Sequence, residues 1–227
     1  MGREINLLEA LPKKIKRNVA ARRREKARNR HAALAFGKAY FDGSREQGYG
    51  GYRYDGRWVP VAHRLIDHFG LKPGERVLDI GCAKGFLVKD LLGACPGLEV
   101  YGLDISLYAL ARAPQEAAGR LVAGTADRLP FADGSFDAVV SINTVHNLER
   151  ARCLRALAEI ERLAPGRGFV QVDAYRSAEE RRLFEDWMLT ALTHGSPEDW
   201  KEMFSSAGYS GDYYWTILEA DPETLIT

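Results

Sequence analysis

The stretch Arg76–Phe86, RVLDIGCAKGF, constrains the fold more than any other part of this chain. Val77, Leu78 and Ile80 make a short apolar run around Asp79, and Gly81 stops that run abruptly. Gly85 follows four residues later, where a helical pattern begins over Phe86–Leu92. Apolar run, glycine turn and helix in this order describe a buried parallel strand that delivers its backbone to a ligand. A glycine there permits close approach and positive φ, and the helix start offers unpaired N–H groups to anionic ligand atoms.

Two nucleotide fingerprints fail against the letters. G-x-G-x-x-G would need glycines where Ala83 and Phe86 stand, and no G-x-x-x-x-G-K-[ST] occurs in the chain. The partners downstream are more telling. Leu98–Leu103 reads as a second strand ending at Asp104, 19 residues beyond Gly85. A carboxylate at that strand tip can accept both hydroxyls of a ribose. Leu121–Ala123 reads as a third strand, followed by GTADRLPFADGSFD over 124–137. Phe136–Ile142 reads as a fourth strand and releases Asn143–Asn147, and Gly168–Val172 as a fifth, releasing Asp173–Tyr175. Asp212–Glu219 completes six strands.

With those residues in that order, the chain resembles the class I S-adenosylmethionine (SAM)-dependent methyltransferases over roughly Leu71–Val172. Ala83 departs from the commonest form of the family's first motif, where a glycine stands. The resemblance implies an α/β fold: a Rossmann-like, doubly wound, mostly parallel sheet with helices on both faces. It implies SAM as cofactor, held by Asp79, Gly81, Cys82, Ala83, Gly85, Asp104, Ile105, Ala126, Asp127 and Asn143. Within that set Asp104 is expected at the ribose and Asp127 at the adenine amine. His146 stands beside the expected acceptor position and is the candidate general base.

Upstream of this unit the organisation is less ordinary. Residues 1–30 carry eleven of the 32 Lys/Arg and three of the 31 Asp/Glu, so the rest of the chain is mildly acidic. This basic arm reads as a solvated helix or tail, with an RNA-contacting arm as the alternative. Residues 31–70 follow as helices around FDGSREQGYGGYRYDGRW, where glycines alternate with Tyr49, Tyr52, Tyr54 and Trp58. That composition suggests a hinged aromatic lid or substrate wall, joined across the site by Tyr175. Residues 71–227 form the SAM-binding domain. Helices are expected over Ala32–Phe41, Val59–Phe69, Leu148–Ala164, Glu179–Leu192 and Pro197–Ala207.

The expected function is methyl transfer to an oxygen or nitrogen of a small-molecule acceptor, such as a sugar or another biosynthetic intermediate. The alternatives are an RNA methyltransferase using the basic arm and a non-catalytic SAM-binding subunit. Three cysteines without metal-like spacing fit a reduced cytoplasm and no metal site. No apolar run approaches the ~18 residues of a membrane span. Nothing in the sequence fixes an oligomeric state.

Overall fold

The computed structural model describes residues 2–11 and 18–219. The N-terminal part holds α1 (Val19–Arg24), α2 (Lys26–Leu34), α3 (Lys38–Asp42) and α4 (Val59–Phe69). After it come β1 (Arg76–Ile80), α5 (Phe86–Ala94), β2 (Glu99–Asp104), α6 (Leu107–Leu110), β3 (Leu121–Ala123) and β4 (Ala138–Ile142). Then follow α7 (Arg150–Leu163), β5 (Gly168–Ala174), α8 (Ala178–Trp187), α9 (Pro197–Ser206) and β6 (Asp212–Ile217). The strands form one sheet of order β3-β2-β1-β4-β5-β6. Every pairing is parallel.

Alternation along the strands explains the two helical layers. Leu78 and Ile80 of β1 pack with Leu157 and Ile160 of α7 and with Trp200 and Phe204 of α9. Val77, one residue out of phase, joins Val61 and Leu65 of α4 and Leu87 and Leu91 of α5 on the opposite face. Chain order reverses between β1 and β4, so the tips of these neighbours open a crevice at their carboxyl ends. No helix among the described residues is long and apolar enough to cross a membrane.

Three features depart from the sequence expectation. Ala32–Phe41 is not one helix: Phe36 takes φ 45 and separates α2 from α3, turning the chain back over the sheet. Glu179–Leu192 is shortened, because α8 ends at Trp187 and Met188 is extended. Leu192 and Thr193 instead donate main-chain hydrogen bonds to the carbonyl of His146, so the continuation becomes a wall beside β4.

The described part of the basic arm is helical, with Arg23, Arg24 and Arg28 exposed, but its other face is docked rather than solvated. Arg22 is only 5% exposed and donates to the carbonyls of Trp187, Arg45 and Gly48. Lys26 donates to the carbonyls of Asp186 and Met188, and Arg30 to that of Ala191. Arg22 and Lys26 thereby meet orphan carbonyls at the C-terminal end of α8, where the helix dipole favours positive charge, while Arg30 meets the loop beyond it.

Candidate functional site

Gly81 terminates β1 with φ 81, and its N–H donates to the carbonyl of Leu103 at 2.7 Å. A Cβ at this position would lie 1.8 Å from Thr144 Oγ1, so only glycine lets the tips of β1 and β4 come this close. Ala83 also takes positive φ, 53, which orients its N–H toward Asp104 Oδ2 at 2.7 Å. Ser106 donates to Asp104 Oδ1 at the same distance. Burial pushes the Asp104 carboxyl up, opposed by the N–H groups of Ser106, Ala83 and Ile105. Beyond these N–H groups the carboxylate keeps acceptor capacity for a ligand hydroxyl.

Three cavities meet above these strand tips. The first is lined by Ala83, Asp104, Ile105, Thr125, Ala126 and Asn143, and is roofed by Phe36, Tyr40, Phe41 and Tyr49. The second lies against Asp79, Gly81, Cys82 and Ala83, with Tyr52, Arg57 and Trp58 on its outer side. The third is bounded by Arg22, Arg45, His146, Asp173, Thr190 and Thr216. Tyr49 and Asn143 belong to all three. Asn143 sits at φ 52, and its N–H donates to the carbonyl and the side-chain oxygen of the buried Gln171. Asn tolerates this left-handed conformation better than most residues.

Charge divides the walls. Burial, then the nearby Asp104, raises the Asp79 carboxyl to about 7. His146 is 2% exposed, and burial followed by the charge of His194 lowers it to about 4. Its Nδ1 accepts the Asp173 N–H at 3.4 Å, which leaves the proton of the neutral ring on Nε2. Both facts oppose the role of general base expected of His146.

Four other expected contacts are not what the structure makes. Asp127 turns away from the cavities: Arg152, Arg155 and Thr125 bond both of its oxygens, while Thr125 and Ala126 take the wall. Gly85, at φ 73, packs beside Leu121 and Ala117 as the residue preceding α5 and lines none of the three cavities. Tyr54 is 42% exposed and donates to Asp90 on α5. Tyr175 pairs with His194 and packs against Phe184. Arg22, Arg45, Thr125 and Thr190 were not legible as wall residues. Their side chains meet the site only through contacts distant in sequence.

A doubly wound sheet with an acid at the tip of β2 and a glycine turn after β1 defines a nucleoside-binding class of fold. Residues 78–171 match the family model described as a methyltransferase domain, which supports a class I SAM-dependent methyltransferase domain in that stretch. It is 36% identical over 120 residues to an uncharacterised methyltransferase of Synechocystis sp., covering 50% of this chain and 54% of that protein. To a demethylmenaquinone methyltransferase of Beutenbergia cavernae it is 42% identical over 106 residues, covering 44% of this chain and 41% of that one. The chain spans about half the length of the curated relatives it matches. Among solved structures, a methyltransferase of Haloferax volcanii in complex with the activator Trm112 has a TM-score of 0.52 at 25% identity, covering 68% of this chain and 73% of that one. The [4+2]-cyclase SpnF shares the fold, with a TM-score of 0.55 at 19% identity over 87% of this chain and 74% of its own.

The family's cofactor is SAM, and the residues present fit it. Asp104 is a buried acid with acceptor capacity at the cavity wall. Ile105, an apolar side chain 57% exposed beside it, offers a face to a planar base.

Proposed function

We propose that this chain transfers the methyl group of SAM to an oxygen or nitrogen of a small polar acceptor, such as a sugar or another biosynthetic intermediate. One arrangement carries the reading: three chemically different cavities converge on Tyr49 and Asn143. The cavity at Asp104 suits a nucleoside. The cavity at Asp79 and Arg57 offers opposite charges to the ammonium and carboxylate of an amino acid. The third, with walls about evenly polar and apolar, is left for the acceptor.

Bound SAM supplies a methyl group already activated on a sulfonium. The remaining tasks belong to the chain. Asp104 and Asp79 would hold the two polar ends of the cofactor, with Gly81, Cys82, Ala83, Ile105, Ala126 and Asn143 shaping the space between them. The rings of Tyr40 and Tyr49 border the junction, where aromatic faces suit a neighbouring cation and keep water out. Tyr52 and Trp58 extend that wall, so residues 36–58 act as a lid. Orientation of two reactants in such a site can contribute ~7–11 kcal/mol. His146, neutral and proton-bearing at Nε2, serves to position the acceptor rather than to abstract its proton.

Docking of Arg22, Lys26 and Arg30 onto main-chain carbonyls supports a small-molecule acceptor over an RNA held by the arm. Calorimetric titration with S-adenosylhomocysteine tests the cofactor site. Wild type binds, and Asp104→Ala loses about 1.5–3 kcal/mol of that affinity, the worth of a hydrogen bond to a charged group. An absence of binding by the wild type would end the proposal. Undiminished affinity in a folded Asp104→Ala would remove Asp104 from the ribose. Transfer of label from methyl-labelled SAM to candidate acceptors then distinguishes turnover from binding alone.

A further inference from the structure

We infer that the acceptor carries an anionic group, a carboxylate or a phosphate, and that Arg22 and Arg45 receive it in the third cavity. This rests on the methyltransferase reading above and names the substrate class for the same site. Two guanidinium groups face one indole there. Arg22 lies 3.6 Å and Arg45 5.3 Å from the centre of the Trp187 ring. Both side chains line the cavity, one from α1 and the other from the lid. Two like charges are thus held over one ring, Arg22 buried and Arg45 half-buried with its own bonds to the carbonyls of Gly48 and Tyr49.

Carbonyls bond the two terminal nitrogens of Arg22, yet its Nε is buried and without a partner. Among the described residues no salt bridge involves Arg22. Burial, then the charge of Arg45, lowers its pKa to about 10. Glu46 eases that strain only in part: its side chain hydrogen-bonds Ser44, and it lies outside the cavity wall. A buried cation short of a counter-charge is costly, and a planar guanidinium matches carboxylate or phosphate oxygens. An apolar ring system entering this cavity would leave the orphan Nε of Arg22 without a partner. Asp173, on the same wall as His146, makes the cavity polar in both senses, so the complementary acceptor is anionic at one end and hydrogen-bonding elsewhere.

Anion binding to the protein saturated with S-adenosylhomocysteine tests the inference, with benzoate and inorganic phosphate as probes and benzamide as the uncharged control. Calorimetry on wild type should detect at least one anion and not benzamide. Whichever anion binds more tightly decides between carboxylate and phosphate. Arg45→Gln and Arg22→Gln should each weaken that anion roughly tenfold or more, with S-adenosylhomocysteine affinity unchanged. Arg45→Gln keeps the test decisive if Arg22→Gln fails to fold. Anions that bind no better than benzamide, or equally well in Arg45→Gln, overturn the inference while leaving the methyltransferase reading intact. Failure of S-adenosylhomocysteine itself to bind overturns that reading instead.

Discussion

Lys84 Nζ lies 2.7 and 2.8 Å from the two carboxylate oxygens of Asp42, joining the glycine turn to the last turn of α3. The same ammonium donates to the carbonyl of Tyr52, and Tyr108 donates its hydroxyl to Asp42 Oδ2. Sequence separation makes the pair consequential, because it ties the proposed lid to the glycine turn and Lys84 is only 6% exposed.

Asp42→Ala should therefore release the lid. It leaves a buried ammonium without its counter-charge, at a cost of about 2–4 kcal/mol, tempered by the partial exposure of Asp42. Calorimetric unfolding should show that loss. Limited proteolysis should find new cleavage within residues 43–58, and S-adenosylhomocysteine should bind more weakly. Unaltered proteolysis would show that the lid stays down without the pair.

Asp79 gives a pH dependence with a definite sign. Its folded pKa of about 7 lies above the unfolded value of 3.8, so the folded chain holds a proton that the unfolded chain releases first. The stability this confers is complete below pH 3.8 and is lost as pH rises to about 7. Asp79→Asn should remove that loss and raise the melting temperature at pH 7.5. It should also weaken S-adenosylhomocysteine, whose ammonium would lose its carboxylate. A melting temperature no higher than wild type at pH 7.5 would refute the burial argument.

Two glycines after β1 should respond unequally to alanine. Gly81→Ala combines positive φ with a Cβ 1.8 Å from Thr144 Oγ1, so about 2–5 kcal/mol of stability should go. Gly85→Ala meets Leu121 Cδ1 at 3.0 Å, the end of a flexible side chain, and should cost about 1–2 kcal/mol. Denaturant midpoints of the two variants give the comparison, and equal losses would contradict it.

Asp127→Ala should act on stability more than on the cofactor. The Arg152 bonds, with help from Thr125 and Arg155, hold its carboxyl well below the usual range despite the opposing desolvation. Removing it unties α7 from the turn after β3, at about 1–3 kcal/mol. S-adenosylhomocysteine affinity should fall less than in Asp104→Ala. A larger fall would return Asp127 to the adenine.

The sheet was legible because its signals are local. Val77–Ile80, Val100–Leu103 and Val139–Ile142 are short apolar runs bounded by turn residues, and six strands were readable from such runs. Asp104 was legible for the same reason, since a strand tip fixes where its side chain stands. The placing of Asp127 was not: it stands two positions after Thr125, and which of them lines the cavity depends on Arg152, 25 positions away. The aromatic stretch suggested a lid, yet Tyr54 leaves it for Asp90 while Tyr49 stays. Glycine spacing does not encode that choice. Arg22 reads as one cation in a basic run, and only its contact with Trp187, 165 residues on, brings it into the site.

Tyr49 and Asn143, shared by all three cavities, have a consequence for traffic through the proposed site. A tyrosine that walls both the cavity at Asp104 and the cavity at Arg22 cannot swing aside for one occupant without exposing the other. Entry and exit of the two reactants are thereby tied to a single door. Turnover should then follow a compulsory sequence, with departure of the spent nucleoside waiting on the methylated product.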